Sequence, residues 1–104
     1  MMDISVSELK SKMEDKEDFV LLDVRELYEY DEFNLGGRLI PLGELMSQLD
    51  TISVDKNKEI VVYCRSGNRS AMAKQILQQS GYTQVRNLLG GIMDWEASFG
   101  QSRP

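Results

Sequence analysis

The sequence predicts an α/β domain built on a parallel sheet with helices on both faces, and three observations carry that expectation. Four of the strand-like runs are almost continuously apolar instead of alternating, the pattern of strands covered on both sides. These runs alternate with segments of helical periodicity, which calls for right-handed crossovers between parallel neighbours. The chain has 104 residues, 41% of them hydrophobic and 28% charged, so one compact domain over residues 1–104 is expected.

In order, Ile4-Ser5-Val6 reads as a short opening strand, and Ser7 to Met13 as a helix capped by Ser5 or Ser7. Phe19 to Val24 is a buried strand. Glu26 to Glu32 is helical, with Arg25 and Glu29 spaced as an i,i+4 pair. Arg38-Leu39-Ile40 is a brief strand closed by Pro41, and Leu42, Leu45, Met46 and Leu49 mark one face of the next helix. Glu59-Ile60-Val61-Val62-Tyr63 is the most apolar strand. A helix from about Arg69 to Gln79 ends at Gly81, as helices often do. Val85 to Leu89 is the last strand, and Gly90-Gly91 leads into a final helix, Ile92 to Phe99, with Trp95 and Phe99 on its core face. Residues 101–104 read as a frayed tail. The acidic stretch Glu14-Asp15-Lys16-Glu17-Asp18 reads as a solvated loop and the six methionines as core filler.

Composition narrows the chemistry. A net charge of −5 argues against general affinity for nucleic acid or an anionic membrane. No apolar run approaches the roughly 20 residues that span a bilayer. No basic-then-apolar leader opens the sequence and a single cysteine builds no disulfide framework, so the expectation is a reducing, cytoplasmic setting. There is no histidine, which rules out a Cys-His catalytic pair and histidine zinc sites within one chain. Neither Gly-x-Gly-x-x-Gly nor a phosphate-loop Lys-Ser/Thr pair is present.

The lone cysteine sits where the most apolar strand meets a helix, in Cys64-Arg65-Ser66-Gly67-Asn68-Arg69. In α/β sheets ligands bind at such strand ends, and a helix N-terminus favours negative charge. A cysteine after a buried strand is most often a small core hydrophobe, but three features point elsewhere. Arg65 and Arg69 flank a helix N-terminus, where cations oppose the dipole unless an anion lies between them. Ser66, Gly67 and Asn68 are turn formers able to aim successive amides inward as an anion nest. A free thiol, with a pKa of about 8.5, is only about 3% ionised at pH 7, and about 2.7 kcal/mol of preferential stabilisation lowers that pKa by about two units. A helix terminus, amides and arginines together reach that magnitude without a histidine. Asp23, at a neighbouring strand end, reads as a loop anchor, and Gly90-Gly91 as a site of close backbone approach.

Cys64-Arg65-Ser66-Gly67-Asn68-Arg69-Ser70 after a Val-Val-Tyr strand resembles the active-site loop of rhodanese-like sulfurtransferases. Leu22-Asp23-Val24-Arg25-Glu26 is similar to that family's second-strand motif, and Leu89-Gly90-Gly91 with Trp95 to its closing motif, so the likeness runs the length of the chain. The resemblance implies a three-layer rhodanese-like α/β domain with a five-stranded parallel sheet. It implies a catalytic Cys64 that takes sulfur from a small anionic donor such as thiosulfate, carries it as a persulfide, and yields it to cyanide, a thiol or a protein acceptor. Arg65, Ser66, Gly67, Asn68 and Arg69 would cradle substrate and sulfur, with no cofactor or metal, in a chain expected to act as a monomer. The stretch Phe33 to Pro41 departs from the family pattern, lacking its histidine and running one residue short.

Two other readings stand beside this one. Cysteine phosphatases, some of them sharing this fold, place five residues between cysteine and arginine, and arsenate reductases are related in chemistry. Here four residues separate Cys64 from Arg69, a ring suited to one sulfur atom rather than a phosphoryl group. A non-catalytic protein-binding module of the same fold usually lacks the cysteine.

Overall fold

A computed structural model describes residues 1–104. Four parallel strands form the sheet in the order β2-β1-β3-β4: β1 is Val20–Asp23, β2 Arg38–Leu39, β3 Glu59–Tyr63 and β4 Gln84–Asn87. The register pairs Leu22 of β1 with Val62 of β3, and Val62 in turn with Asn87 of β4. The helices are α1 (Val6–Glu14), α2 (Leu27–Glu32), α3 (Asn68–Gln79) and α4 (Gly91–Phe99), with a 3₁₀ segment over Leu42–Thr51. No helix is long and apolar enough to cross a membrane.

The continuous apolar run of β3 is explained by its two covered faces. Ile60, Val62 and Cys64 point into one cluster with Leu22, Val24, Ala73, Leu77 and Val85, under α3 and the 3₁₀ segment. Val61 and Tyr63 point into the other, with Leu9, Ile92 and Trp95, under α1 and α4. Period-two alternation thus distributes one apolar strand between two half-cores. Trp95 is fully buried and meets Phe99 edge to face at 5.0 Å between ring centroids.

Several expectations change. The fifth strand is reduced to a single parallel bridge between Ile4 and Leu88, because the Ser5 hydroxyl accepts from the Glu8 amide at 3.1 Å and starts α1 at Val6. The segment after Pro41 winds as 3₁₀ rather than α. At three residues per turn Leu45 stays buried, while Met46, expected on the inner face, is 73% exposed. Residues 101–104 are exposed, and residues 101–103 make hydrogen bonds. The Trp95 indole donates to Ser102 O at 2.8 Å, and Arg103 donates to Asn34 Oδ1 at 2.5 Å. The acidic stretch also carries anchors, Glu17 to Lys12 and Asp18 to Lys58.

Candidate active site

At the carboxyl end of β3, residues 64–69 curl back onto the start of α3. Gly67 makes this possible: it caps α3 with φ +103°, a left-handed conformation that side chains resist. That turn aims its amide at Cys64 Sγ, 3.0 Å away, and the Ser70 amide approaches the same sulfur at 3.4 Å. The Ser70 hydroxyl lies 3.3 Å from Sγ. Burial pushes the Cys64 thiol up, but hydrogen bonds from the Ser70 hydroxyl and from the amides of Ser70, Gly67 and Ser66 outweigh it and hold the thiol below its ordinary value.

The loop is clamped from behind by α4. Ile92 N donates to Cys64 O at 3.0 Å, and Met93 N to Arg65 O at 2.9 Å. Such contact requires Gly91, where a Cβ would stand 2.4 Å from Cys64 O and 2.6 Å from Arg65 O. Gly90-Gly91 is therefore the site of close backbone approach that the sequence suggests.

The arginines divide differently from the expectation. Arg69 does not face the sulfur as a free cation. Its guanidinium forms a two-pronged pair with Glu29 of α2, at 2.7 and 2.9 Å. Arg25, expected to pair with Glu29, instead folds back on Asp23 at 2.8 Å and donates to Phe33 O at 2.7 Å. Asp23 is a loop anchor, also accepting from the Arg25 amide at 2.9 Å. The pairing follows from the ends of the strands. Asp23 is fully buried beside Arg25, which leaves Glu29 facing the neighbouring loop. Arg65 is exposed with no carboxylate partner, and Ser66 and Asn68 are also exposed. A cleft beside the loop, between α2 and α4, is lined by Arg65, Tyr28, Glu29, Met93 and Glu96 among others; Cys64 lies outside its lining.

The unusual 33–38 segment is held by Tyr63. Its hydroxyl accepts from Leu35 N at 3.1 Å and donates to Gly36 O at 3.0 Å. Burial, then the Asp23 charge, pushes this phenol far above its ordinary value, so it remains a donor. Three residues of the site went unrecognised in the sequence: Glu29, Ser70 and Asn87. Asn87 is a polar residue at a strand's carboxyl end, and Ser70 closes the loop motif; these positions were the available signals. No group of three or more His, Cys, Asp and Glu is placed to hold a metal ion.

The Arg69 hydrogen bonds, working against burial, hold Glu29 at about 2, below its ordinary 4.5. A folded-state value depressed in this way adds stability above pH 4.5 that is lost as pH falls toward 2. A Glu29→Gln protein is expected to be about 1 kcal/mol less stable at neutral pH, a modest figure because Arg69 is partly solvated. Urea melts at descending pH check this: the two proteins should converge near pH 2.

Residues 5–98 match the family model described as Rhodanese-like domain. The chain is 37% identical over 99 residues to a sulfurtransferase of Allochromatium vinosum, covering 89% of this chain and 86% of the relative. It is 40% identical over 74 residues to the thiosulfate sulfurtransferase PspE of Escherichia coli, covering 70% of each. The fold matches the human single-domain sulfurtransferase TSTD1 with a TM-score of 0.81 at 28% identity, over 91% of this chain and 95% of that one. The chain spans half the length of a Bacillus subtilis relative, YrkF, to which it is 36% identical over 94 residues.

Proposed function

The chain belongs to the rhodanese-like domain family, and from that premise we propose that it is a sulfurtransferase working through a Cys64 persulfide. The observation that carries the reading is the sulfur cradle. Cys64 Sγ receives the Gly67 and Ser70 amides and faces the Ser70 hydroxyl, an arrangement that favours negative charge on sulfur. Names of relatives such as PspE and the Allochromatium sulfurtransferase support sulfur transfer in general.

The thiolate attacks the outer sulfur of thiosulfate. A new S–S bond forms at Cys64, the bond to the inner sulfur breaks, and sulfite leaves with that electron pair. The anionic outer sulfur rests against the amides of residues 65–69. Cyanide or a thiol then attacks it, and Cys64 regains its electron pair as thiolate. Two displacements replace one direct transfer, and the balance needs no redox partner, cofactor or metal. The reading places the protein in the cytoplasm as a monomer, where a lone thiol stays reduced.

The test is turnover of thiosulfate and cyanide to thiocyanate and sulfite, set against hydrolysis of an aryl phosphate. Thiocyanate formation without phosphate release supports the reading, and the reverse overturns it. Because Arg69 is neutralised by Glu29, Arg65 is the cation left for the incoming anion. Arg65→Ala is expected to raise KM for thiosulfate about five- to tenfold with little change in kcat, since an exposed charge aids capture more than chemistry.

A further inference from the structure

Asn87 ends β4, is buried, and has every polar group engaged. Its backbone amide donates to Asp3 Oδ1 at 2.9 Å, an oxygen that also takes Lys74 Nζ at 2.6 Å. Its side-chain Nδ2 donates to Gly67 O at 3.1 Å. That contact fixes the amide's orientation and turns Oδ1 toward Ser70, whose hydroxyl donates to it at 2.5 Å. The same Ser70 oxygen is the one 3.3 Å from Cys64 Sγ.

A serine hydroxyl has one proton, so it cannot serve both acceptors. With Cys64 as a thiol the chain runs in one direction: S–H to Ser70 Oγ, and Ser70 O–H to Asn87 Oδ1. Ionisation of Cys64 breaks that order. Either the Ser70 proton stays on Asn87 and the thiolate has only its amide donors, or it turns to sulfur and a buried amide oxygen goes unpaired, which is costly. In the persulfide the charge sits on the outer sulfur, Sγ becomes a weak acceptor, and the Ser70 proton can rest on Asn87 again. The Asn87 contact thus suits the thiol and the loaded state, and competes with the bare thiolate for the Ser70 proton.

We propose that Asn87 is a positioning residue that competes with Cys64 Sγ for the single Ser70 hydroxyl proton. It thereby keeps the unloaded sulfur more basic, and so more nucleophilic, than the amide cradle alone would leave it. A thiolate loses nucleophilicity as its pKa falls, so this competition tempers the effect of the cradle. The inference rests on Cys64 being the reacting sulfur.

The test is a pH titration of Cys64 by the ultraviolet absorbance of its thiolate, with the trace of a Cys64→Ala protein subtracted; a chain with one cysteine gives one signal. Ser70→Ala should raise the midpoint. Asn87→Ala should lower it, giving about threefold more thiolate at pH values below the midpoint. In the Ser70→Ala background, Asn87→Ala should no longer lower it. If Asn87 merely braces Gly67, Asn87→Ala raises the midpoint with or without Ser70, and that result overturns the proposal. Should Asn87→Ala not fold, NMR of the wild-type protein decides. The Asn87 side-chain amide should titrate with the Cys64 midpoint and cease to do so in Ser70→Ala, whereas a flat wild-type response overturns the proposal. Thiol titration needs no sulfur donor, so a failure of sulfur transfer is read separately.

Discussion

A Cys64→Ser protein is expected to fold normally and to transfer no sulfur. Serine nearly preserves the shape of a side chain buried in the same cluster as Val62 and Ala73, so the stability change should stay within about 1 kcal/mol. The chemistry has no substitute. This is the only cysteine, there is no histidine to activate a hydroxyl, and Ser70 is already engaged by Asn87. Thiocyanate production should fall to the rate of the uncatalysed reaction, while thermal melting and circular dichroism match the parent. Residual turnover above that background would mean that sulfur is carried elsewhere.

The second large effect is structural and lies behind the loop. Gly91→Ala places a methyl group 2.4 Å from Cys64 O, at a φ of +55°. The obstructing atoms are backbone carbonyls of Cys64 and Arg65, so no rotamer change relieves the contact. The left-handed conformation adds about 1–2 kcal/mol, and forcing the backbone apart about 1–3 kcal/mol. A total near 3 kcal/mol is a large part of the stability of a small domain. Chemical denaturation should show the midpoint falling with the slope unchanged. Sulfur transfer should fall as well, because the bonds from Ile92 and Met93 to the loop carbonyls are lost. A change below about 0.5 kcal/mol would show that α4 does not clamp the loop.

The contrast between these residues and those overlooked shows what a sequence of this kind can disclose. Cys64 stands out because β3 is continuously apolar and ends abruptly in turn formers and charge. Gly90-Gly91 stands out because paired glycines before a helix imply a neighbour too close for a Cβ. Asp23 stands out as a carboxylate at the end of a buried strand. Each of these signals is local. The Glu29–Arg69 clamp is not: it joins residues 40 apart, and local spacing favoured Arg25 as the partner of Glu29 until the burial of Asp23 claimed Arg25. The Ser70–Asn87 contact spans 17 residues and exists only because β4 ends beside the first turn of α3. The opening strand failed for a competing local reason. Ser5 is a strong helix cap, and capping shortened the strand to the single Ile4 bridge.

These assignments shift the source of thiolate stabilisation. Arginines flanking the cysteine suggest direct charge attraction, yet Arg69 spends its charge on Glu29. The stabilisation comes instead from backbone amides and one hydroxyl, and Arg65 stays exposed.

The central claim is that Cys64 carries the sulfur, and intact-protein mass spectrometry tests it most directly. After treatment of the reduced protein with thiosulfate and removal of excess reagent, the protein should gain the mass of one sulfur atom. Peptide mapping should place that atom on Cys64, and cyanide should remove it with release of thiocyanate. A folded, reduced protein that gains no mass with thiosulfate, or gains it equally in the Cys64→Ser form, would contradict the account.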